Sequence, residues 1–385
     1  MSAFLLDVRA VVAILSRTNS FCGTYGLRVP ILLAPMAGAC PASLSVAVAS
    51  AGGLGACGAL LMQPSAIQSW ADEVRAHTTG PFQLNLWIPD PLPTRDEVAE
   101  RAVRDFLGQW GPAVAIDAGD AAWPDFNGQC EAMLASRPLV ISSIMGLYPP
   151  PIVARMKAAG ISWFATATTV AEANHAEDAG ADAIVAQGME AGGHRGAFDA
   201  ARAEQRLVGL FSLLPAVVDA VQVPVIAAGG IADPRGVAAA LLLGASAVQI
   251  GTGFLRCPEA KLPSAWADAM GRTLPEDTLV TRAFSGRPGR SIATAYARAA
   301  SGPDAPRPAP YPVQRGLTQA MRDAALKTND IDGMQAWAGQ SAALAQDRPA
   351  ADIVKYLWNG TRTLLADNSD TLRFDTNAPT PGTTP

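Results

Sequence analysis

The sequence predicts an α/β protein, a TIM-type (β/α)8 barrel that carries a smaller, mainly helical lobe inserted near the C-terminal part. Three observations point there. A short apolar run, a break at Gly, Pro or Ser, and an alanine-rich, partly charged stretch recur in that order up to about Gly253. The chain has 385 residues, more than the roughly 250 that such a barrel uses. After Gly253 the rhythm stops, and prolines and scattered arginines take over.

Taken in order, Ile31 to Leu33 is the first strand, leading into Ala34, Pro35 and Met36. Leu54 to Ala56 is the second, and Phe82 to Leu86, closed by Trp87 and Pro89, is the third. Leu139 to Ser142, Trp163 to Thr166, Ala183 to Ala186, Val225 to Ala228 and Val248 to Gly251 complete a set of eight. Helix signals keep the same phase. Thr169 with Glu172 reads as a capping box, and Gly180 as the stop of that helix. Asp233 before Pro234 reads as an N-cap followed by a first-turn proline, with Gly244 ending that helix. The barrel's main part is thus assigned to residues 20–257 and the smaller lobe, covering the ligand face, to 258–345, where 319–345 again reads as helical. Residues 346–366 are expected to return as a final barrel helix, centred on Asp352 to Leu365, and 367–385 to be a flexible tail.

Composition narrows the function. A content of 49% hydrophobic and 16% charged residues describes a folded core, and 29 basic against 34 acidic residues lack the excess a nucleic-acid surface needs. Five cysteines, Cys22, Cys40, Cys57, Cys130 and Cys257, show no zinc or redox spacing; they read as free thiols in a reducing, cytoplasmic setting. Residues 29–71 contain no charged side chain, yet Pro30, Pro35, Pro41 and Pro64 break them into pieces too short to span a membrane. No basic region precedes the first apolar segment, so export is not indicated.

The chemistry concentrates in Gln187-Gly188-Met189-Glu190-Ala191-Gly192-Gly193-His194-Arg195-Gly196, just after the strand Ala183 to Ala186, on the face where barrel loops converge. His194 titrates near neutrality and Arg195 offers a planar cationic fork. Two further glycine loops, Gly229-Gly230 and Gly251-Thr252-Gly253, follow the last two strands and can aim backbone amides at a phosphate, aided by the helix start at Pro234. Asn85 and Met36 sit at strand ends, where an amide or a thioether can meet a heterocycle. His77 and His175 fall in helix candidates and read as surface residues. No metal triad forms around His194.

Together, Ala34-Pro35-Met36-Ala37, Asn85, the Gln187 to Gly196 run, Gly229-Gly230, Gly251-Thr252-Gly253-Phe254 and Phe284-Ser285-Gly286-Arg287-Pro288 resemble the nitronate monooxygenase family, once called 2-nitropropane dioxygenases. The resemblance implies an FMN-dependent barrel that oxidises nitronates or nitroalkanes with molecular oxygen, as a monomer or homodimer. It implies that Gly229, Gly230, Gly251 and Thr252 hold the FMN phosphate, and that Met36, Asn85, Gln187, Gly192 and Gly193 approach the flavin. It makes His194 the catalytic residue, with Tyr311, Trp337 and Gln340 contributing from the smaller lobe. The family is related to FMN-dependent enoyl-acyl-carrier-protein reductases, so an NAD(P)H-dependent enoyl-thioester reductase is the alternative. Gln187 and Arg195 favour the nitronate branch, because the reductase pattern has an acidic and an apolar residue there. A flavin-binding regulatory protein is a third reading.

Overall fold

A computed structural model describes residues 8–120 and 123–366. Eight parallel strands carry the fold: β1 (Ile31–Leu33), β2 (Gly55–Gly58), β3 (Phe82–Trp87), β4 (Val140–Ile144), β5 (Ser162–Ala167), β6 (Ala183–Gln187), β8 (Val225–Ala228) and β9 (Ala247–Ile250). β7 (Gly193–His194), β10 (Thr278–Thr281) and β11 (Gly289–Ile292) form a separate antiparallel sheet in the order β10, β11, β7. The large sheet closes on itself. β1 pairs with β9, Leu32 opposite Gln249, and its other edge bridges to Leu54, whose N–H donates to Ile31 O at 3.1 Å.

The strands alternate as a closed barrel requires. Leu32, Val140, Phe164, Val185 and Ile226 fill the interior, while Ile31, Leu33, Ile141 and Ile184 pack outward against the helices. β2 lies slightly later than Leu54 to Ala56. Its glycines have a packing reason: a Cβ on Gly55 would meet Ser45 O, and one on Gly58 the backbone of Ala37. An early helix, Val8–Thr24, had no counterpart in the sequence reading. Its end delivers Phe21 and the following Tyr25 into the amino-end mouth, where Tyr25 meets Phe164 edge-on at 5.0 Å.

The caps follow the sequence with one change. Thr169 accepts from Glu172 N at 3.2 Å, and Asp233 accepts from Gly236 N at 3.0 Å. The Glu172 carboxylate reaches one residue further back than a capping box requires, taking the N–H and hydroxyl of Thr168, both at 2.7 Å, and Phe198 N at 2.9 Å.

After β9 the chain leaves the barrel and returns as the helix Ala350–Ala366. The two ends of this excursion are tied together: Arg256 donates to Ala345 O at 3.0 Å, and the Glu259 carboxylate accepts from Ala350 N at 3.1 Å. The returning helix buries Ile353, Val354 and Leu357 and donates from Thr361 to Pro234 O at 3.3 Å. Between these ends, the α-helix Gln319–Thr328 ends earlier than expected, and only the 3-10 turns Ile331–Gly333 and Ala342–Leu344 follow it in the stretch to 345. Asn329 takes a left-handed φ of 53° and ends the helix, and the chain then runs past β11 with Trp337 opposite Ser291. The excursion also shares its core with the β3–β4 connection, whose helix Glu97–Leu107 packs Val103 and Leu107 against Phe284, Tyr296 and Leu317. Residues 367–385 lie outside the described residues. No helix among those described is long and apolar enough to cross a membrane.

Candidate active site

At the carboxyl ends of the strands lies a cavity of about 390 Å³, in the size range of small-ligand sites. Met36, Asn85, Gln187 and the glycines Gly192, Gly193, Gly229, Gly230 and Gly251 line it, with Thr252, His194 and Trp337. Tyr311 and Gln340 do not. Tyr311 stands behind the wall, its ring 5.4 Å from Trp87 and 5.4 Å from Trp123. Gln340 meets the site through its backbone, donating to Glu190 O at 2.9 Å. A wider cavity of about 600 Å³ adjoins the first and shares Leu61 and Arg315 with it.

His194 owes its position to β7, which leaves the barrel loop and pairs with β11, placing His194 opposite Gly289. Its half-buried ring is wedged between two indoles, edge-on to Trp87 at 4.6 Å and to Trp337 at 4.8 Å. Nε2 lies 2.7 Å from Ser285 Oγ. Burial, and then the positive charges of Arg315 and Arg287, hold the imidazole pKa well below 6.5, so the ring is neutral at physiological pH. His77 and His175 are exposed on their helices.

Gln187 uses both ends of its amide to fold the histidine loop: Nε2 donates to His194 O at 3.2 Å, and Oε1 accepts from Gly196 N at 2.8 Å. Arg195 is buried away from the cavity. Its guanidinium donates to Gln187 O at 2.6 Å and Thr168 O at 3.4 Å, so the fork braces the loop and presents nothing to a ligand; burial lowers its pKa to about 10. Asn85 donates to Ser142 Oγ at 3.0 Å, which fixes its amide with the oxygen free to accept.

The glycine loops have the form of an anion cradle. Gly229 and Gly230 take φ of 108° and 69°, a turn that side chains resist, and their N–H groups donate to no acceptor among the described residues. Thr252 Oγ1 accepts from Gly339 N at 3.0 Å and keeps its hydrogen to donate, and Asp233–Pro234 starts a helix beside the turn. A Cβ on Gly192 would collide with the Gly339 backbone, so only glycine lets the two segments meet. Free amides and a hydroxyl suit a phosphate, and the neutral wall of Met36, Asn85 and glycines suits a planar heterocycle. Among the described residues, no three His, Cys, Asp or Glu side chains gather as a metal site would. The five cysteines are buried, and burial raises the pKa of each thiol, to about 12 for Cys40.

Several wall residues escaped sequence reasoning. Trp87 follows Asn85 by two positions on one strand and so shares its face, a signal that was present. Ser285 as the partner of His194, and Arg315, Arg322 and Gln335 in the lobe wall, are assembled only by tertiary packing.

A ligand cavity built from βα loops at the carboxyl ends of barrel strands marks an enzyme of the (β/α)8 class. Within that class the chain belongs to the nitronate monooxygenase family, whose model matches residues 22–360. It is 38% identical over 339 residues to a nitronate monooxygenase of Paraburkholderia phytofirmans, covering 86% of this chain and 92% of that one. Among solved structures, a nitroalkane oxidase from Streptomyces ansochromogenes superposes with a TM-score of 0.81 at 35% identity, covering 89% of this chain and 100% of that one. FabK from Thermotoga maritima superposes with a TM-score of 0.70 at 27% identity, covering 90% and 97%.

Proposed function

We propose that this enzyme uses FMN to oxidise alkyl nitronates, propionate 3-nitronate among them, with molecular oxygen, yielding a carbonyl compound and nitrite. The observation that carries the reading is a neutral, caged imidazole in the wall of a cavity whose opposite loops form a phosphate-shaped cradle. Gly229, Gly230, Gly251 and Thr252 would take the FMN phosphate, with Met36, Asn85, Gln187, Gly192 and Gly193 against the ring system. FMN supplies the electron transfer that no side chain here can provide.

The protein's own part is to bind, orient and move a proton. Trp87 and Trp337 pack against His194 in edge contacts and fix its plane. Ser285 Oγ lies 3.2 Å from Arg287 O; assigning its hydrogen to that carbonyl leaves His194 Nε2–H as the donor to Ser285, with Nδ1 holding the free lone pair. In that state the free Nδ1 lone pair can remove the α-proton of a neutral nitroalkane; an anionic nitronate arrives already deprotonated and needs no base.

The first test is oxygen uptake with nitrite formation by the FMN-loaded protein and propionate 3-nitronate, without reduced nicotinamide. No turnover despite bound FMN would sink the reading. A His194→Asn protein that retains FMN should lose about 10²- to 10⁴-fold in turnover of neutral nitroalkanes. Unchanged turnover would remove His194 as the base. The likeness to FabK keeps an NAD(P)H-dependent enoyl-thioester reductase as a second reading, supported if such reduction is rapid and nitronate oxidation negligible. Gln187 weighs against it, since its two opposite hydrogen bonds need a donor as well as an acceptor, and an ionised carboxylate cannot donate.

A further inference from the structure

We infer that Arg315 anchors a carboxylate carried by the substrate at the end remote from its nitronate group, so that the site selects short nitronates with an acidic tail. The inference rests on the proposed function and deepens it. Arg315 lies on the lobe helix Val313–Leu317 and lines both cavities, the one that holds His194 and the wider one adjoining it. It therefore stands where the far end of a substrate leaves the inner chamber.

Its charge is only loosely compensated: Asp323 acts on Arg315 and Arg322 without touching either, and its Oδ1 already accepts from Gln319 Nε2 at 2.7 Å. No carboxylate pairs with Arg315 or with its neighbour Arg322 among the described residues, and both guanidiniums donate to one neutral oxygen, Gln335 Oε1, at 3.3 and 3.2 Å. Arg322 spends its remaining donors on Thr318 Oγ1, Arg315 O and Gln319 Oε1. Among the described residues the Arg315 guanidinium makes one hydrogen bond, its fork otherwise lying 5.7 Å over the Trp123 ring, so most of its five N–H donors are left for a ligand. The other unpaired buried arginines differ: Arg195 and Arg290 direct their donors to backbone carbonyls and Thr278, and neither lines either of these two cavities. Two desolvated cations with no carboxylate in contact, facing a chamber, are satisfied by a visiting carboxylate in the bidentate geometry that guanidinium favours.

The test compares the holoenzyme with Arg315→Met and Arg315→Lys, each checked for bound FMN. Nitrite release is measured with propionate 3-nitronate and with propyl-1-nitronate, which lacks the carboxylate. The ratio of the two kcat/KM values should favour the acidic substrate in the unaltered enzyme, fall by about 10- to 100-fold in the methionine variant and lie between in the lysine variant. Binding supplies a second readout free of turnover. Succinate, an inert isostere of propionate 3-nitronate, should perturb the flavin absorbance at lower concentration than butyrate does, and the methionine variant should erase that difference. Equal kcat/KM for both nitronates in the unaltered enzyme, or a methionine variant that slows both in proportion, overturns the inference and leaves the proposed function standing. No nitrite from either nitronate, with succinate still held through Arg315, overturns the proposed function and keeps the anion site.

Discussion

His194 is neutral because the protein surrounds it, and that has a measurable direction. Desolvation first, then Arg315 and Arg287, disfavours the imidazolium. The kcat/KM for a neutral nitroalkane should therefore hold as pH falls through about 6.5, the ordinary imidazole value, and decline only well below it. An acid limb at 6.5 or above in the pH–rate profile would contradict a desolvated ring. The same shift has a stability sign. Below about 6.5 the unfolded chain takes up a proton that the folded chain refuses, so this residue's contribution to stability falls as pH drops from there. At this scale the sequence was legible where chemistry is packed into a contiguous run. Gln187 and His194 stood out because glycines flanked them. Arg195 drew attention in the same run for the wrong reason, since its neighbours in space, Thr168 and Gln187, turn it inward. Arg315 carried no local signal: an arginine between valine and leucine on a short helix looks like any surface cation until the fold sets it against a cavity.

Among the elements, the barrel strands were readable because each is a short apolar run between turn signals, and their caps at Thr169 and Asp233 carry their own mechanism. The lobe was not readable in the same way. β10 and β11 are four residues each, Gly289–Ile292 contains an arginine and a serine, and β7 is two residues long. Such strands exist only through their partners. Besides the β7 pairing and Arg290 on Met189 O, they are tied to the barrel by Arg287, only 2% exposed, which donates to both Asp90 oxygens at 3.0 and 2.9 Å and to Ala197 O at 2.9 Å. Removing Asp90 would strand a buried guanidinium. Asp90→Ala should lower the unfolding free energy by about 2 kcal/mol, less than for a fully enclosed pair because Asp90 is 26% exposed. Urea denaturation checks this, and an unchanged midpoint would show that the pair does not hold the lobe.

For the whole molecule, a ligand bound through amides of two loops, one following β8 and the other β9, should act on global stability. FMN at about 100 times its dissociation constant would add about 2.7 kcal/mol, which in a chain of this size corresponds to a rise in Tm of about 3 °C. Thermal unfolding of stripped protein with and without FMN measures it, and the absence of a shift would remove FMN from the cradle. The barrel could be anticipated because its repeating unit is written eight times in sequence. The way the lobe borrows the β3–β4 helix could not, since Val103 and Phe284 are far apart along the chain and meet only in space. The clamp of Arg256 on Ala345, reinforced by Glu259 on Ala350, has a consequence for how such a protein can change. Everything between those residues hangs from a closed stem, yet it reaches back into the site: Gly339 N donates to Thr252 Oγ1, Gln340 N to Glu190 O, and Ser285 Oγ meets His194 Nε2. Arg315 lies beyond that stem and His194 before it, but Ser285, Gly289 and Trp337, which set the imidazole, lie on the same side as Arg315, so a diverging insert can change the choice of substrate only while it conserves the seat of the base, and the two are inherited together.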